Sequence, residues 1–249
     1  MGKIRAVVFD YIGTLVTCRS YNFDASKMKL YSALVAEGFN VSVDNFMDAY
    51  SRAHEKYRLI RYGELREVTN AIWIAEALNE LGYDDVKSDD VRLKTALNVF
   101  FKDFADALRL RAGAVELFTQ VSSSFLSCRK IGLLSNFTYA PIIHFSLNKL
   151  GISKYFNAIL TSDENGWRKP SLHIFSDILS RLHVAGDEVV YVGDSPLEDI
   201  KGAKAAGCTT VFVCSQFNSI EQLASCNVTA DFTAKNLCEV SEIFSQLIK

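Results

Sequence analysis

The hydrophobic and polar positions of this chain follow two different periods. From about residue 20 to residue 108, apolar residues recur at helical spacing, and the first run begins behind Ser42, a residue type that favours helix N-termini. The three runs are Val43, Phe46, Met47, Tyr50, Ala53, Tyr57 and Ile60, then Val68, Ile72, Ala75 and Leu78, then Leu93, Leu97, Phe100, Phe101, Phe104 and Leu108. No convincing strand pattern interrupts them. We therefore predict a helical bundle over residues 19–108.

On either side of that bundle, short apolar runs alternate with helical patterns. Strands are predicted over residues 4–9, 130–136, 156–162, 188–194 and 209–214. Helices are predicted near 139–150, 171–182, 197–206 and 235–248. Strands that alternate with helices at this spacing predict an α/β fold whose parallel sheet has helices on both faces.

Several of these strands end in polar residues. Asp10, Ser135, Ser162 and Asp194 each stand where an apolar run stops. In open parallel sheets, ligands bind at the carboxyl ends of the strands. We therefore expect these four side chains to converge on one edge of the sheet.

Composition excludes some classes of function. The chain has 249 residues, 49% of them hydrophobic, and a formal net charge of −2, which fits one large or two small domains and gives no basic surface for nucleic acid. No apolar run approaches the roughly 18 residues of a membrane span, so we expect no membrane partner and a cytoplasmic protein. The six cysteines form no CxxC pair and are interpreted as isolated thiols: Cys18, Cys128, Cys208, Cys214, Cys226 and Cys238.

Four short motifs occur in order on the predicted elements: "FDYIGTLV", "GLLSN", "WRKPSLHIF" and "VGDSPLEDIKGAKAAG". Together they resemble the four motifs of the haloacid dehalogenase-like hydrolase superfamily, over residues 1–18 and 109–249. The resemblance implies a Rossmann-like core from those two segments. It also implies that the helical bundle of residues 19–108 is the small all-α cap that some members carry after the first motif.

The residue types suit nucleophilic attack on phosphorus or carbon. The carboxylate of Asp10 can attack phosphorus or carbon and form an ester that water later cleaves. The Lys169 ammonium and the Ser135 hydroxyl can stabilise the negative charge of the reacting group, so Asp10, Ser135 and Lys169 are the predicted catalytic residues. Asp10 and Asp194 are hard oxygen ligands suited to Mg²⁺, with Asp199 as a further partner of the ion.

The resemblance adds four further candidates. In that family the main-chain carbonyl at the Ile12 position also ligates the metal. Thr14 and Asn136 belong to the first and second motifs, and we predict that they contact the substrate. Arg61 lies in the segment of residues 58–68, where cap residues of this family select the substrate, and it is predicted to meet an anionic group.

Ile12 is also the main departure from the family pattern. Phosphatases of this family carry a second Asp there, which protonates the leaving oxygen and then activates water. Such assistance is worth about 10²–10⁴ in rate, and Ile12 cannot supply it. Tyr11 is adjacent, but successive strand side chains point to opposite faces, so it should face away from the site.

Three functions remain open. The first is Mg²⁺-dependent hydrolysis of a small, anionic, phosphorylated molecule. Its leaving group would depart without a proton, or a cap residue or the substrate itself would supply the acid. The second is dehalogenation of a 2-haloacid, for which halide needs no acid, although Gly193-Asp194 departs from the usual Ser-Ser-Asn of that branch. The third is a non-catalytic protein that binds a phosphorylated ligand. The sequence leaves open whether the protein is a monomer or a homodimer.

Overall fold

A parallel sheet of six strands forms the centre of the computed structural model, which describes residues 4–123 and 130–247. The strand order is β5-β4-β1-β6-β7-β8, and the remaining two strands, β2 and β3, form a separate antiparallel pair. The strands are β1 (Ala6–Phe9), β2 (Val16–Cys18), β3 (Leu108–Leu110), β4 (Lys130–Ser135), β5 (Ala158–Thr161), β6 (Val189–Gly193), β7 (Thr209–Val213) and β8 (Phe232–Ala234). The five predicted strands are confirmed. The pattern missed β2, β3 and β8 because each has only three residues.

Eleven helices are present in the described part of the chain. Four lie between β2 and β3: α1 (Phe23–Ala36), α2 (Val43–Gly63), α3 (Asn70–Glu80) and α4 (Val91–Ala107). Seven accompany the sheet: α5 (Ala114–Ser123), α6 (Ala140–Lys149), α7 (Ser162–Asn165), α8 (Leu172–Leu182), α9 (Lys201–Ala205), α10 (Ile220–Ser225) and α11 (Leu237–Leu247).

Local capping explains where the inserted helices begin. The Ser42 side chain accepts a hydrogen bond from the Asn45 amide (3.3 Å), which confirms the predicted cap of α2, and Asn22 and Asp90 cap α1 and α4 in the same way. The apolar spacing did not identify α1, because Leu30 and Leu34 are its only buried apolar residues.

The helices pack on both faces of the sheet, as predicted. Along β1, Val7 and Phe9 face one side, where the Phe9 ring packs edge-on against Phe118 of α5 with centroids 5.7 Å apart. Ala6 and Val8 face the other side and pack with residues of α8. This alternation is the strand period of two, and it buries β1 completely.

The antiparallel pair of β2 and β3 connects the sheet to the inserted helices. Val16 lies opposite Leu110 and Cys18 opposite Leu108. This pair stands next to the predicted boundaries of the two domains. The division into residues 1–18 with 109–249 and residues 19–108 stays a prediction.

The helix predicted at 197–206 differs in the structure. Its first turn, Pro196–Ile200, is a π-helical turn, and only Lys201–Ala205 is regular α-helix. The Ser195 hydroxyl caps this turn by accepting from the Glu198 amide at 3.2 Å. The Asp199 side chain is buried as a result, beside the carboxyl end of β6.

Two further observations concern membrane-spanning helices and cysteines. No helix in the described residues is long and apolar enough to cross a membrane. The five described cysteines, Cys18, Cys208, Cys214, Cys226 and Cys238, are free thiols. Cys128 lies outside the described residues.

Candidate active site

Asp10 lies at the carboxyl end of the central strand, β1. Its amide donates to the Val192 carbonyl of β6 at 2.9 Å, so the residue is fixed by the sheet itself. The chain then turns at Gly13, whose φ of +99° is unfavourable for other residues. A Cβ atom at Gly13 would lie 2.4 Å from Asp194 Oδ2. The close approach of the first and fourth motifs therefore depends on this glycine.

Lys169 joins the end of β1, β4 and the π-helical turn after β6 through one buried ammonium. Its Nζ donates to Asp10 Oδ1 at 2.7 Å, to Asp199 Oδ1 at 2.6 Å and to the Leu134 carbonyl at 3.0 Å. The Tyr191 hydroxyl lies 3.2 Å from Nζ and donates to Asp199 Oδ1 at 2.9 Å. Burial alone would lower the pKa of Lys169, but the two carboxylates raise it above its usual range. Lys169 is therefore a fixed positive charge.

Three buried carboxylates share this site. One oxygen from each of Asp10, Asp194 and Asp199 lies within 4.8 Å of the others. Burial raises the pKa of Asp10 and that of Asp194, and the neighbouring carboxylates raise both further, while Lys169 opposes the shift. The cluster therefore has more negative charge than one lysine can balance.

The oxygens of these carboxylates are not equally engaged. Both oxygens of Asp199 accept hydrogen bonds, Oδ2 from the Ser195 amide at 2.9 Å. Asp194 Oδ2 accepts from the Ser215 hydroxyl at 2.5 Å and from the side-chain Nδ2 of Asn218 at 3.4 Å. Asp10 Oδ2 is buried and has no hydrogen-bond partner within the described ranges. An acceptor left in this state suits a cation, so the residues present fit a divalent metal.

Ser135, which ends β4, and Thr14, in the turn after β1, are also brought to this edge. Ser135 is the last residue of β4 and is buried one position after the Leu134 carbonyl that binds Lys169. The Thr14 hydroxyl lies 3.5 Å from Asp194 Oδ1. The role of each in catalysis or substrate binding stays a prediction.

Asn136 uses its side chain on the backbone of Lys169. Its Oδ1 accepts from the Lys169 amide at 2.8 Å, and its Nδ2 donates to the Lys169 carbonyl at 3.1 Å. The arrangement orients the lysine toward Asp10. Substrate binding by Asn136 stays a prediction.

Ile12 offers no proton donor or acceptor in its side chain, which is half-buried against the apolar core. The neighbouring Tyr11 faces away, as expected from strand alternation: its hydroxyl lies 2.7 Å from the Ser146 hydroxyl of α6. Neither side chain replaces the acid that the first motif lacks.

The segment after α2 docks on the loop that carries Lys169. The Glu67 amide donates to the Gly166 carbonyl at 3.0 Å, and the Arg168 amide donates to the Leu65 carbonyl at 2.8 Å. The Glu67 carboxylate is fully buried and accepts from Arg61 Nε and Arg168 Nη1, each at 2.7 Å, and from the hydroxyl of Ser162. We call Glu67, Arg61, Arg168 and Ser162 the Glu67 cluster.

Two residues that the sequence analysis placed in the site, Ser162 and Arg61, belong to the Glu67 cluster. Ser162 lies at the start of α7 and holds Glu67, rather than joining the carboxylates. Arg61 is paired with Glu67 and also lines a cavity between the helices and the sheet. Its contact with an anionic substrate stays a prediction.

Two cavities adjoin the site. One, of 410 Å³, is lined by Lys169, Ser195 and Asn218 of the sheet side and by Tyr62 and Leu65 of the inserted helices. The other, of 220 Å³, lies between the helices and the residues that follow Asn136, and its wall is mainly aromatic. We call the second one the aromatic cavity.

Comparison with known proteins identifies the family. The model of the haloacid dehalogenase-like hydrolases matches residues 4–207. The chain belongs to this family. As a member it is a haloacid dehalogenase-like hydrolase, and the resemblance found in the four motifs is confirmed.

Relatives of this HAD-like hydrolase have phosphatase and dehalogenase names. A ribulose-1,5-bisphosphate 5-phosphatase from Halopiger xanaduensis is 25% identical over 96% of this chain and 99% of its own. A glyceraldehyde 3-phosphate phosphatase from Methanocaldococcus jannaschii is 36% identical over 41% of this chain, and the match spans only 44% of that relative. The fold is similar to the crystal structure of a 2-haloacid dehalogenase from Pseudomonas syringae, with a TM-score of 0.68, 20% identity and coverage of 98% and 99% of the two chains.

Several residues of the HAD-like site were not found from the sequence. Ser215 follows β7 and was available to the rule of polar strand ends, since it comes directly after an apolar run. Tyr191 stands in the apolar run of β6, where a buried hydroxyl needs a partner. Arg111 donates to the Gly13 and Cys214 carbonyls at 2.5 and 2.7 Å, and nothing in the sequence marks this contact.

Proposed function

We propose that this protein hydrolyses a small phosphorylated molecule through an aspartyl-phosphate at Asp10, with Mg²⁺, and favours leaving groups that depart without a proton. The phosphatase names of two relatives support the phosphoryl group as the target. The substrate of this chain is part of the proposal.

One observation carries it: three buried carboxylates share a single lysine, and Asp10 Oδ2 is without a partner among the described residues. With all four groups ionised, the cluster has two uncompensated negative charges. A site of this kind favours a divalent cation together with an anion that the cation can bind. A dehalogenase has no need of that charge, since its substrate brings no phosphate.

Asp10 and Asp194 are the residues that would hold the ion, with the Ile12 carbonyl, while the fully engaged Asp199 lies behind them. When bound, Mg²⁺ supplies charge neutralisation for the phosphoryl oxygens. Lys169 donates to Oδ1 of Asp10, which orients the carboxylate and favours its ionised form. Ser135 and Thr14 would donate hydrogen bonds to the phosphoryl oxygens.

The reaction has two steps. An Asp10 oxygen attacks phosphorus, and the bond from phosphorus to the leaving oxygen breaks, with its electron pair staying on that oxygen. Water then attacks the phosphorus of the aspartyl-phosphate, and the bond from phosphorus to the Asp10 oxygen breaks, with its electron pair returning to the carboxylate. Of the two protons of this water, one ends on the departed oxygen and the other on the released phosphate. Because Ile12 can neither protonate the first leaving group nor activate the water, leaving-group stability controls the first step and the second is slow.

Dehalogenation is the second candidate, and Ile12 favours it because halide needs no proton. Both functions are tested together. Purified protein is assayed for phosphate release from phenyl phosphate and acetyl phosphate, with Mg²⁺ and with a chelator, and for halide release from a 2-haloacid. We expect Mg²⁺-dependent phosphate release that Asp10→Asn abolishes. Halide release without phosphate release would replace this proposal with dehalogenation, and binding of phosphate without either turnover would support a non-catalytic protein.

A further inference from the structure

The aromatic cavity has an unusual wall for a site that must handle a phosphorylated molecule. Of its twelve lining residues, eight are Phe, Tyr or Trp. Phe104 stacks on Phe137 with centroids 5.2 Å apart, and Tyr21 packs edge-on against Phe104 at 5.4 Å. The other four lining residues, His54, Arg61, Asn70 and Thr138, are polar. Aromatic rings thus form most of the wall, and they favour contact with a flat apolar group.

The position of the cavity links it to the reaction. Phe137 and Thr138 line it, and they directly follow Ser135 and Asn136 at the end of β4. Tyr21 lines it from the segment that leaves β2. The cavity therefore adjoins the carboxyl end of β4, the strand next to β1, on the side covered by the inserted helices.

The other cavity has a different character. It is lined by Lys169, Arg168, Lys201 and Glu198, and Tyr62 is its one aromatic residue. The two cavities thus divide the site into a polar part and an aromatic part, as an ester of phosphate with an aromatic alcohol requires.

The volume of the aromatic cavity and the chemistry of the site both indicate a leaving group with a single aromatic ring. An apolar cavity of about 150 Å³ is enough to bind benzene, and the aromatic cavity measures 220 Å³. A phenolate is also a leaving group that departs without a proton, which the Ile12 site requires. The same group therefore satisfies both the wall of the cavity and the missing acid.

We propose that the aromatic cavity binds the leaving group and that the substrates are phosphate monoesters of single-ring phenols. This inference rests on the proposed function. In the transfer step, the Asp10 oxygen forms a bond to phosphorus and the bond from phosphorus to the aryl oxygen breaks, with its electron pair on the phenolate. Hydrolysis of the aspartyl-phosphate consumes one water, so the products are the phenol and hydrogen phosphate.

Two substrates separate the contribution of the ring from that of the leaving group. Phenyl phosphate has a ring and acetyl phosphate has none, but both lose their leaving groups without a proton. Phe104→Leu and Tyr21→Leu remove rings from the wall, and each should lower the ratio of kcat/KM for phenyl phosphate to that for acetyl phosphate by roughly 3- to 10-fold. Phe39→Leu is the matched control, because Phe39 is buried in the inserted segment and packs against Tyr83, and neither residue lines the cavity. Its ratio should stay that of the unmodified protein.

A second measurement needs no variant. Phenol should compete with acetyl phosphate, and Phe104→Leu or Tyr21→Leu should weaken that inhibition. Turnover of both substrates with an unchanged ratio in the two variants, or no competition by phenol, would overturn the aryl assignment and leave the hydrolase intact. If neither substrate releases phosphate with Mg²⁺, the proposed function fails and this inference fails with it. Tyr21 is only half-buried and lies outside the helices, so Tyr21→Leu keeps the test available if Phe104→Leu does not fold.

Discussion

Replacing Lys169 by methionine tests how the buried charges stabilise the protein. The ammonium is almost completely buried and lies 2.7 and 2.6 Å from Asp10 and Asp199. Methionine fills a similar volume but leaves the two carboxylates facing each other and Asp194 without a positive charge. Removal of one partner from a buried ion pair costs about 3–5 kcal/mol, a large part of the roughly 5–15 kcal/mol that stabilises a folded protein.

Urea unfolding in the presence of a chelator measures this cost. With an m value of about 3 kcal/mol per molar, we expect the midpoint to fall by about 1 M or more in Lys169→Met. The double variant Lys169→Met/Asp199→Asn should recover much of the loss, because it removes one of the repelling charges. Addition of Mg²⁺ should also stabilise Lys169→Met, since a cation can replace the missing positive charge.

Lys149→Met is the matched control. Lys149 also binds a carboxylate, Asp106 Oδ1 at 2.5 Å, but both side chains are more than one-third exposed. Exposed pairs contribute at most about 1 kcal/mol. A cost below about 1 kcal/mol for Lys169→Met, equal to that of Lys149→Met, would refute the argument that Lys169 balances the carboxylate cluster.

Three other changes test separate parts of the account. Ile12→Asp restores a proton donor, so phosphate release from alkyl phosphates should rise by about 10²–10⁴-fold. If this variant gains no activity, the site does not act as a phosphatase site. Tyr11→Phe should leave kcat on phenyl phosphate within about twofold, because the Tyr11 hydroxyl contacts Ser146; a large loss would identify Tyr11 as the missing acid. Glu67→Gln removes the charge shared by two arginines, so it should cost about 3 kcal/mol in unfolding and raise KM; an unchanged KM would separate the Glu67 cluster from substrate binding.

The rule of polar strand ends predicted much of the site. It selected Asp10, Ser135 and Asp194, which the structure brings to one edge of the sheet because β4, β1 and β6 are adjacent. It failed for Ser162, which turns into α7. In the sheet, β4 lies between β5 and β1, so the end of β5 is farther from Asp10. Ser162, the residue that follows β5, therefore binds Glu67 instead.

The contacts that hold the site together could not be predicted in the same way. Arg111 and Glu67 are distant in sequence from the groups they bind, and ordinary surface arginines and glutamates have the same local patterns. The π-helical turn before α9 was also missed, because hydrophobic spacing does not distinguish it from a regular first turn. The features that could not be predicted from the sequence are chiefly pairings of charged side chains that lie far apart along the chain.

The central claim is that Asp10 carries the phosphoryl group during turnover. Because Ile12 cannot activate water, the aspartyl-phosphate should accumulate. Protein mixed with phenyl phosphate that is radiolabelled on phosphorus, in Mg²⁺, is quenched with acid within the first turnover and digested. We predict that the label is found on the peptide that contains Asp10, that unlabelled substrate chases it off, and that Asp10→Asn carries none. Phosphate release without any labelled protein, or a label that persists in Asp10→Asn, would contradict the account.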